Sequence, residues 1–170
     1  LAADAARFEE HVSVLATRVM DMDQELADVD ETDVASGGQS GEHHGESVIF
    51  VGDVDGDGEG DRVAIHTFWR EYRAPLWEDQ ALYAKHSIEF ESRFTGFSYP
   101  WPHMTSVEGD DIIGGGMEFP MFTLMGTYEG RGPFNLYSVT AHELAHMWIP
   151  MIVGSNEKRY AWIDEGSTSF

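Results

Sequence analysis

The sequence contains no cysteine, so neither a disulfide nor a thiolate metal ligand is available to it. Positive charge is scarce as well. Ten Lys and Arg stand against 31 Asp and Glu, for a net charge of -21, and Lys85 and Lys158 are the only lysines. A surface of this sign repels nucleic acid and anionic membranes. Long apolar runs are also missing: no stretch approaches the ~18 consecutive apolar residues of a membrane-spanning helix. The first residues lack a basic start followed by an apolar run, so no signal peptide is visible, and the compartment stays unassigned. What is present can build a core. Hydrophobic residues at 42% and aromatics at 12% exclude wholesale disorder. The acidic balance reads either as solubility or as adaptation to high salt, where screening removes self-repulsion.

Along the chain, residues 1–30 carry Phe8, Val12, Leu15, Val19, Met22, Leu26 and Val29 in alternating steps of four and three, which predicts an amphipathic helix. Residues 31–47 are polar and glycine-rich, a loop or linker in which His43 and His44 read as solvated. Two strands are expected at Ser47–Val54 and Arg62–Trp69. The turn between them places Asp53, Asp55, Asp57 and Asp61 around Gly58, which resembles the start of a calcium loop. Ala64 stands where such a loop needs its bidentate acid, so a plain Asp/Gly hairpin turn is the alternative to Ca²⁺. A helix over 75–95 opens at Pro75, carries Trp77, Ala81, Ala84 and Ile88 on one face, and ends at the prolines of SYPWP. A short strand at HMTSVEG, a glycine run, an apolar strand at MFTLMG, a helix from about Leu136 to Trp148 and a last helix from about Trp162 complete the pattern. The chain begins with Leu and stops inside a helical pattern, so a fragment of a longer protein is expected.

Chemistry concentrates in Ala141-His142-Glu143-Leu144-Ala145-His146. Histidines four apart on a helix stack on one face, close enough for both imidazoles to reach one ion. Zinc accepts such nitrogen ligands, and a catalytic zinc needs a third protein ligand and an open position. Glu165 meets that need, with residues 147 to 164 leaving room for a helix end, a connection and a second helix. Glu143 projects beside the metal rather than onto it, where it can act as general base on the attacking water. Two surface histidines on an acidic helix would be the bland reading. The apolar Leu144, Ala145, Met147 and Trp148 argue against it, because they mark a buried helix.

HExxH, a spacer of residues 147–164 and then Glu is similar to the signature of gluzincins of the aminopeptidase N type, the family that includes leukotriene A hydrolase. Gly115-Gly116-Met117-Glu118 resembles that family's exopeptidase motif, in the expected order upstream of HELAH. Residues 1–46, helix and linker by their pattern, match nothing in that family; for the rest the resemblance implies an α+β architecture, with 47–73 as a β-hairpin closing a β-rich N-terminal domain and 74–170 as the first half of a thermolysin-like zinc peptidase domain. It implies a zinc aminopeptidase acting on peptides with a free N-terminus, with Glu118 binding the substrate α-amino group. Glycines at 115 and 116 would let the substrate backbone come close. Phe119 and Pro120 stand where the family has Asn and its successor, Asp164 replaces a common Asn, and the family's transition-state-stabilising tyrosine would lie beyond Phe170. A gluzincin endopeptidase, or a non-catalytic relative that keeps zinc for structure, are the rival readings.

Overall fold

The computed structural model describes residues 44–51, 62–70, 74–109 and 114–169. The amphipathic helix expected over 1–30, His43 and the acidic turn with Asp53, Asp55, Asp57 and Asp61 lie outside the described residues. Five strands form one mixed sheet in the order β1-β2-β3-β5-β4. They are β1 (His44–Val51), β2 (Val63–Arg70), β3 (His103–Glu108), β4 (Gly116–Phe119) and β5 (Phe122–Met125). β1 and β2 pair antiparallel, β2–β3 and β3–β5 are parallel, and β4–β5 is an antiparallel hairpin.

β1 starts earlier than its composition suggests. His44, Gly45 and Glu46 belong to the polar segment read as loop, yet they pair with Arg70, Trp69 and Phe68. The partner strand decides this, because a ladder satisfies backbone groups whatever side chains they carry. Gly45 is buried under Trp69, and a β-carbon there would overlap the indole ring. β2 is buried on both faces from Val63 to Trp69, as an inner strand of a covered sheet must be. β1 and β2 share this one sheet with β3, β4 and β5.

A 3₁₀ turn (Pro75–Asp79) leads into α1 (Gln80–Thr95), so the helix expected from Pro75 begins with a tighter first turn. Trp77, Ala81, Ala84 and Ile88 are all buried, as their spacing requires. α1 ends at Gly96, which takes the left-handed conformation (φ 68°), and not at the prolines farther on. The apolar strand expected at MFTLMG is β5, and the residues just before it form a further strand that makes it one arm of a hairpin. Met117, Glu118 and Phe119 form its first arm, and Pro120 with Met121 turns the chain. α2 (Pro133–Ala145) opens three residues before Leu136 and closes before Trp148. The amides of Met147 and Trp148 donate to the carbonyls of Leu144 and Ala145, three residues back, so the chain tightens out of the α-helix there. α3 (Ala161–Thr168) matches the expected last helix.

α1 and α2 cover one side of the sheet. Ala81, Ala84 and Ile88 of α1 and Leu144 of α2 join Val63, Ile65 and Met104 in a common core with Met147 and Trp148. Full burial of a side chain such as Leu144 stabilises by about 2 kcal/mol, and the shared core fixes the two helices against the sheet. A polar tie then sets their relative rotation: Gln80 donates to the Thr140 hydroxyl (2.9 Å), which itself lies 2.8 Å from the Leu136 carbonyl. At the far end of β2, Arg70 grips the fully buried Glu108 side chain with two charged bonds of 2.8 and 2.6 Å. No described helix is long and apolar enough to cross a membrane.

Candidate functional site

α2 carries His142, and His146, the residue that caps its C-terminus, follows one turn on, with ring centroids 4.9 Å from each other and ring planes nearly perpendicular. α3 supplies Glu165, whose Oε2 lies 3.1 Å from His142 Nε2 and 3.8 Å from His146 Nε2. The tertiary fold thus brings the three expected ligands together, with their donor atoms within 4.8 Å of one another. Donors held about 2.0–2.1 Å from a tetrahedral ion stand about 3.3 Å apart, so this spacing suits a small divalent cation. The donor chemistry of two imidazoles and one carboxylate fits as well.

The second imidazole nitrogens are equally informative. His146 is fully buried, and its Nδ1 lies 3.0 Å from the Ile149 carbonyl. A carbonyl only accepts, so Nδ1 carries the proton and Nε2 keeps its lone pair turned towards Glu165. Asp164, also buried, brings Oδ1 to 2.9 Å of the same Nδ1 but off the N–H direction, so that oxygen lies against the ring without a hydrogen bond of good geometry. Neighbours on α3 therefore act on opposite nitrogens of one ring: Asp164 behind it, Glu165 in front. Asp164 was legible in the sequence only as a departure from a motif. Its burial depends on how α3 docks.

Glu143 is 3% exposed, and its Oε2 has no hydrogen-bond partner among the described residues. Burial, and then the charges of Glu118, Glu165 and Asp164, push its carboxyl up to about 8. An unpartnered buried carboxylate oxygen is costly, and its position beside the histidines marks it as a group awaiting a proton or a cation. Glu118 reaches the same place from β4: Glu118, Glu143 and His146 also hold donor atoms within 4.8 Å of one another.

The glycine-rich segment divides by role. Along β4 alternate residues face opposite ways, so Gly116 and Glu118 face α2, while Met117 is turned away and is 43% exposed. A β-carbon on Gly116 would overlap the Glu143 carboxylate, whereas one on Gly115 would meet nothing within 4 Å. Gly115 contributes its carbonyl, which accepts from the Gly126 amide at 2.9 Å and holds the hairpin. Of the four residues expected to line the substrate site, Glu118 and Gly116 face the histidines; the Met117 side chain does not. Phe119 packs on Phe122 with ring centroids 5.8 Å apart.

Tyr128 also belongs to this neighbourhood, and no sequence signal marks it. It follows β5 with a left-handed backbone (φ 53°). Burial raises its phenol pKa, the Arg131 charge lowers it, and the Glu143 charge raises it further. Of the tyrosines that flank the motif, Tyr137 bonds His86 Nδ1 at 2.7 Å, and Tyr160 is exposed and lies under the Arg159 guanidinium.

No family model matches this chain. A curated relative, leucine aminopeptidase 2 of Neurospora crassa, is 31% identical over 116 residues, covering 65% of this chain. The chain spans 16% of that relative's length. Among solved structures, aminopeptidase A of Legionella pneumophila, crystallised with aspartic acid, superposes with a TM-score of 0.51 at 16% identity. That match covers 61% of this chain and 13% of the other, and shows a likeness of fold.

Proposed function

We propose that this chain carries the metal-binding part of a zinc aminopeptidase of the gluzincin type, with residues 74–170 as the first half of a thermolysin-like domain. The observation that carries the reading is that His146 holds a donor atom within 4.8 Å of those of His142 and Glu165 and likewise of those of Glu118 and Glu143. A cation site and a pair of carboxylates share one imidazole. That arrangement suits a substrate with an ammonium group one residue from a polarised carbonyl. The names of the two similar proteins point the same way.

His142, His146 and Glu165 would hold the ion. When bound, zinc supplies Lewis acidity to the carbonyl and the attacking water, and its charge draws the Glu143 carboxyl back towards its ionised form. Glu143 then takes the water proton and delivers it to the leaving amine. Glu118 binds the substrate ammonium and so fixes how far the scissile bond lies from the chain start. β4 is an edge strand of the described sheet, and an extended peptide can add to its open side through backbone hydrogen bonds. Asp164 holds the His146 ring in place.

The test pairs a peptide with its N-acetylated form, assayed on the full-length protein before and after chelation. Cleavage of the free peptide alone, lost with chelator and restored by Zn²⁺, is expected. Equal cleavage of both peptides would point to an endopeptidase, and indifference to Glu143→Gln would point to a zinc protein without catalysis.

A further inference from the structure

α1 buries Ala81, Ala84 and Ile88, yet the face it turns to solvent is apolar as well. Leu82, His86, Phe90 and Phe94 recur at every fourth residue, so they form one row along the helix surface. All four are exposed, Leu82 by 56%, Phe90 by 50% and Phe94 by 62%. Phe97, just past the Gly96 cap, is 52% exposed, and its carbonyl accepts from Trp148 Nε1 at 2.8 Å, which ties that turn to the core. Single exposed apolar residues are ordinary on a protein surface; a contiguous row of aromatic rings marks a contact.

The rings are ordered in advance. Tyr137 on α2 bonds His86 Nδ1 at 2.7 Å. His86 stacks on Phe90 with centroids 6.4 Å apart and planes 14° apart, and Phe90 stacks on Phe94 at 5.6 Å and 9°. Covering such rings costs little further rotamer freedom.

Charge and area indicate what covers them. At a net charge of -21, two copies of this chain repel each other over most of their surfaces. α1 is locally neutral: Lys85 and Arg93 balance Glu89 and Glu91, and Lys85 bonds Glu89 at 2.9 Å. A cationic partner would gain more on the acidic surface than on this neutral one, whereas a second copy meets least repulsion here. Exposed at 50%, 62% and 52%, the three phenylalanine rings present roughly 300 Å² of apolar surface. One side of a stable interface covers about 800 Å², somewhat more than half of it apolar. The rings therefore supply most of the apolar share, and Leu82 with the Lys85 stem adds to it.

We propose that the row from Leu82 to Phe94 is a self-association surface, on which a second copy of the protein lays its own α1 antiparallel. A two-fold axis passing between His86 and Phe90 brings Leu82 opposite Phe94 of the second copy and His86 opposite its Phe90. Rows of residues four apart on two such helices interlock at a crossing of about -50°.

Sedimentation velocity on the full-length protein tests this between about 1 and about 100 µM, where contacts of this size associate. A reversible monomer–dimer equilibrium is expected. Raising NaCl from about 0.1 M to about 1 M shortens the Debye length from about 10 Å to about 3 Å. The dimer should then tighten, because screening removes the mutual repulsion and leaves the apolar contact. Phe90→Ser with Phe94→Ser should weaken it at least about tenfold, as loss of central aromatic anchors does, while the melting temperature of the monomer is unchanged. Leu82→Asp should act in the same direction. A protein that stays monomeric throughout, or a dimer that both variants leave intact, overturns the surface. A lowered monomer melting temperature in the double variant also overturns it, by showing that the row packs within its own chain.

Discussion

Gly116 on β4 and Glu143 on α2 are in such close contact that no side chain fits between them; a β-carbon at 116 would occupy the space of the Glu143 carboxyl group. The strand that would present a peptide and the helix that would supply the base are thereby held at backbone distance. Gly116→Ala should leave the fold intact, because the overlapping atoms belong to the end of a movable side chain. It should instead displace the carboxylate. A displacement of about 1 Å lowers kcat about a hundredfold, and steady-state kinetics beside a thermal melt would separate this from unfolding.

The unpartnered Glu143 carboxyl gives the metal-free protein a pH signature. Its pKa is about 8 in the fold against an ordinary value of 4.5, so between those values the folded state binds a proton that the unfolded state has lost. The resulting stability is fully present below pH 4.5 and disappears as the pH rises through about 8. Glu143→Gln should flatten the fall in melting temperature over that window. Parallel curves for the two proteins would refute the assignment.

Asp164 stands behind the imidazole that Glu165 faces. Asp164→Ala should weaken zinc binding about 10- to 100-fold without removing a ligand, measured by competition with a chelator of known affinity. A larger loss, equal to that of Glu165→Ala, would make Asp164 a ligand in its own right.

Arg70 and Glu108 tie β2 to β3 with a two-pronged ion pair whose acid is fully buried. Arg70→Met leaves a buried carboxylate without that partner and should destabilise the fold by about 3–5 kcal/mol. Arg70→Met combined with Glu108→Leu should recover much of the loss. Chemical denaturation of the three proteins decides it.

Thr140 joins α2 to Gln80 on α1 inside the core. Thr140→Val keeps the volume but strands the Gln80 amide, at a cost of about 1–3 kcal/mol. A change below that range would show that the Gln80 amide finds another partner.

Much of the site was legible in sequence because its rules are local. Helical spacing alone stacks His142 over His146, and the alternation of β4 follows once Glu118 is on a strand. The apolar faces of α1 and α2 likewise follow from period, which is why Trp77, Ile88, Leu144 and Met147 are buried as expected. Local rules failed where a partner chooses the outcome. His44 to Glu46 are strand because β2 offers them a ladder, and β4 and β5 separate because Pro120 and Met121 turn the chain. α2 stops at Ala145 because the next amides find tighter partners than an α-helix provides.

Thus the sequence by itself determined the donors: which residues can hold a metal, which carboxylate can move a proton, and which helices face a core. Those follow from side-chain chemistry and short-range periodicity. Only the tertiary structure decided their environment. Packing buried Asp164 against His146, pressed Gly116 onto Glu143, and left the Glu143 Oε2 without a partner among the described residues. Each of these depends on contacts between segments far apart in the chain, and burial and proximity of that kind are not written in any short stretch of residues.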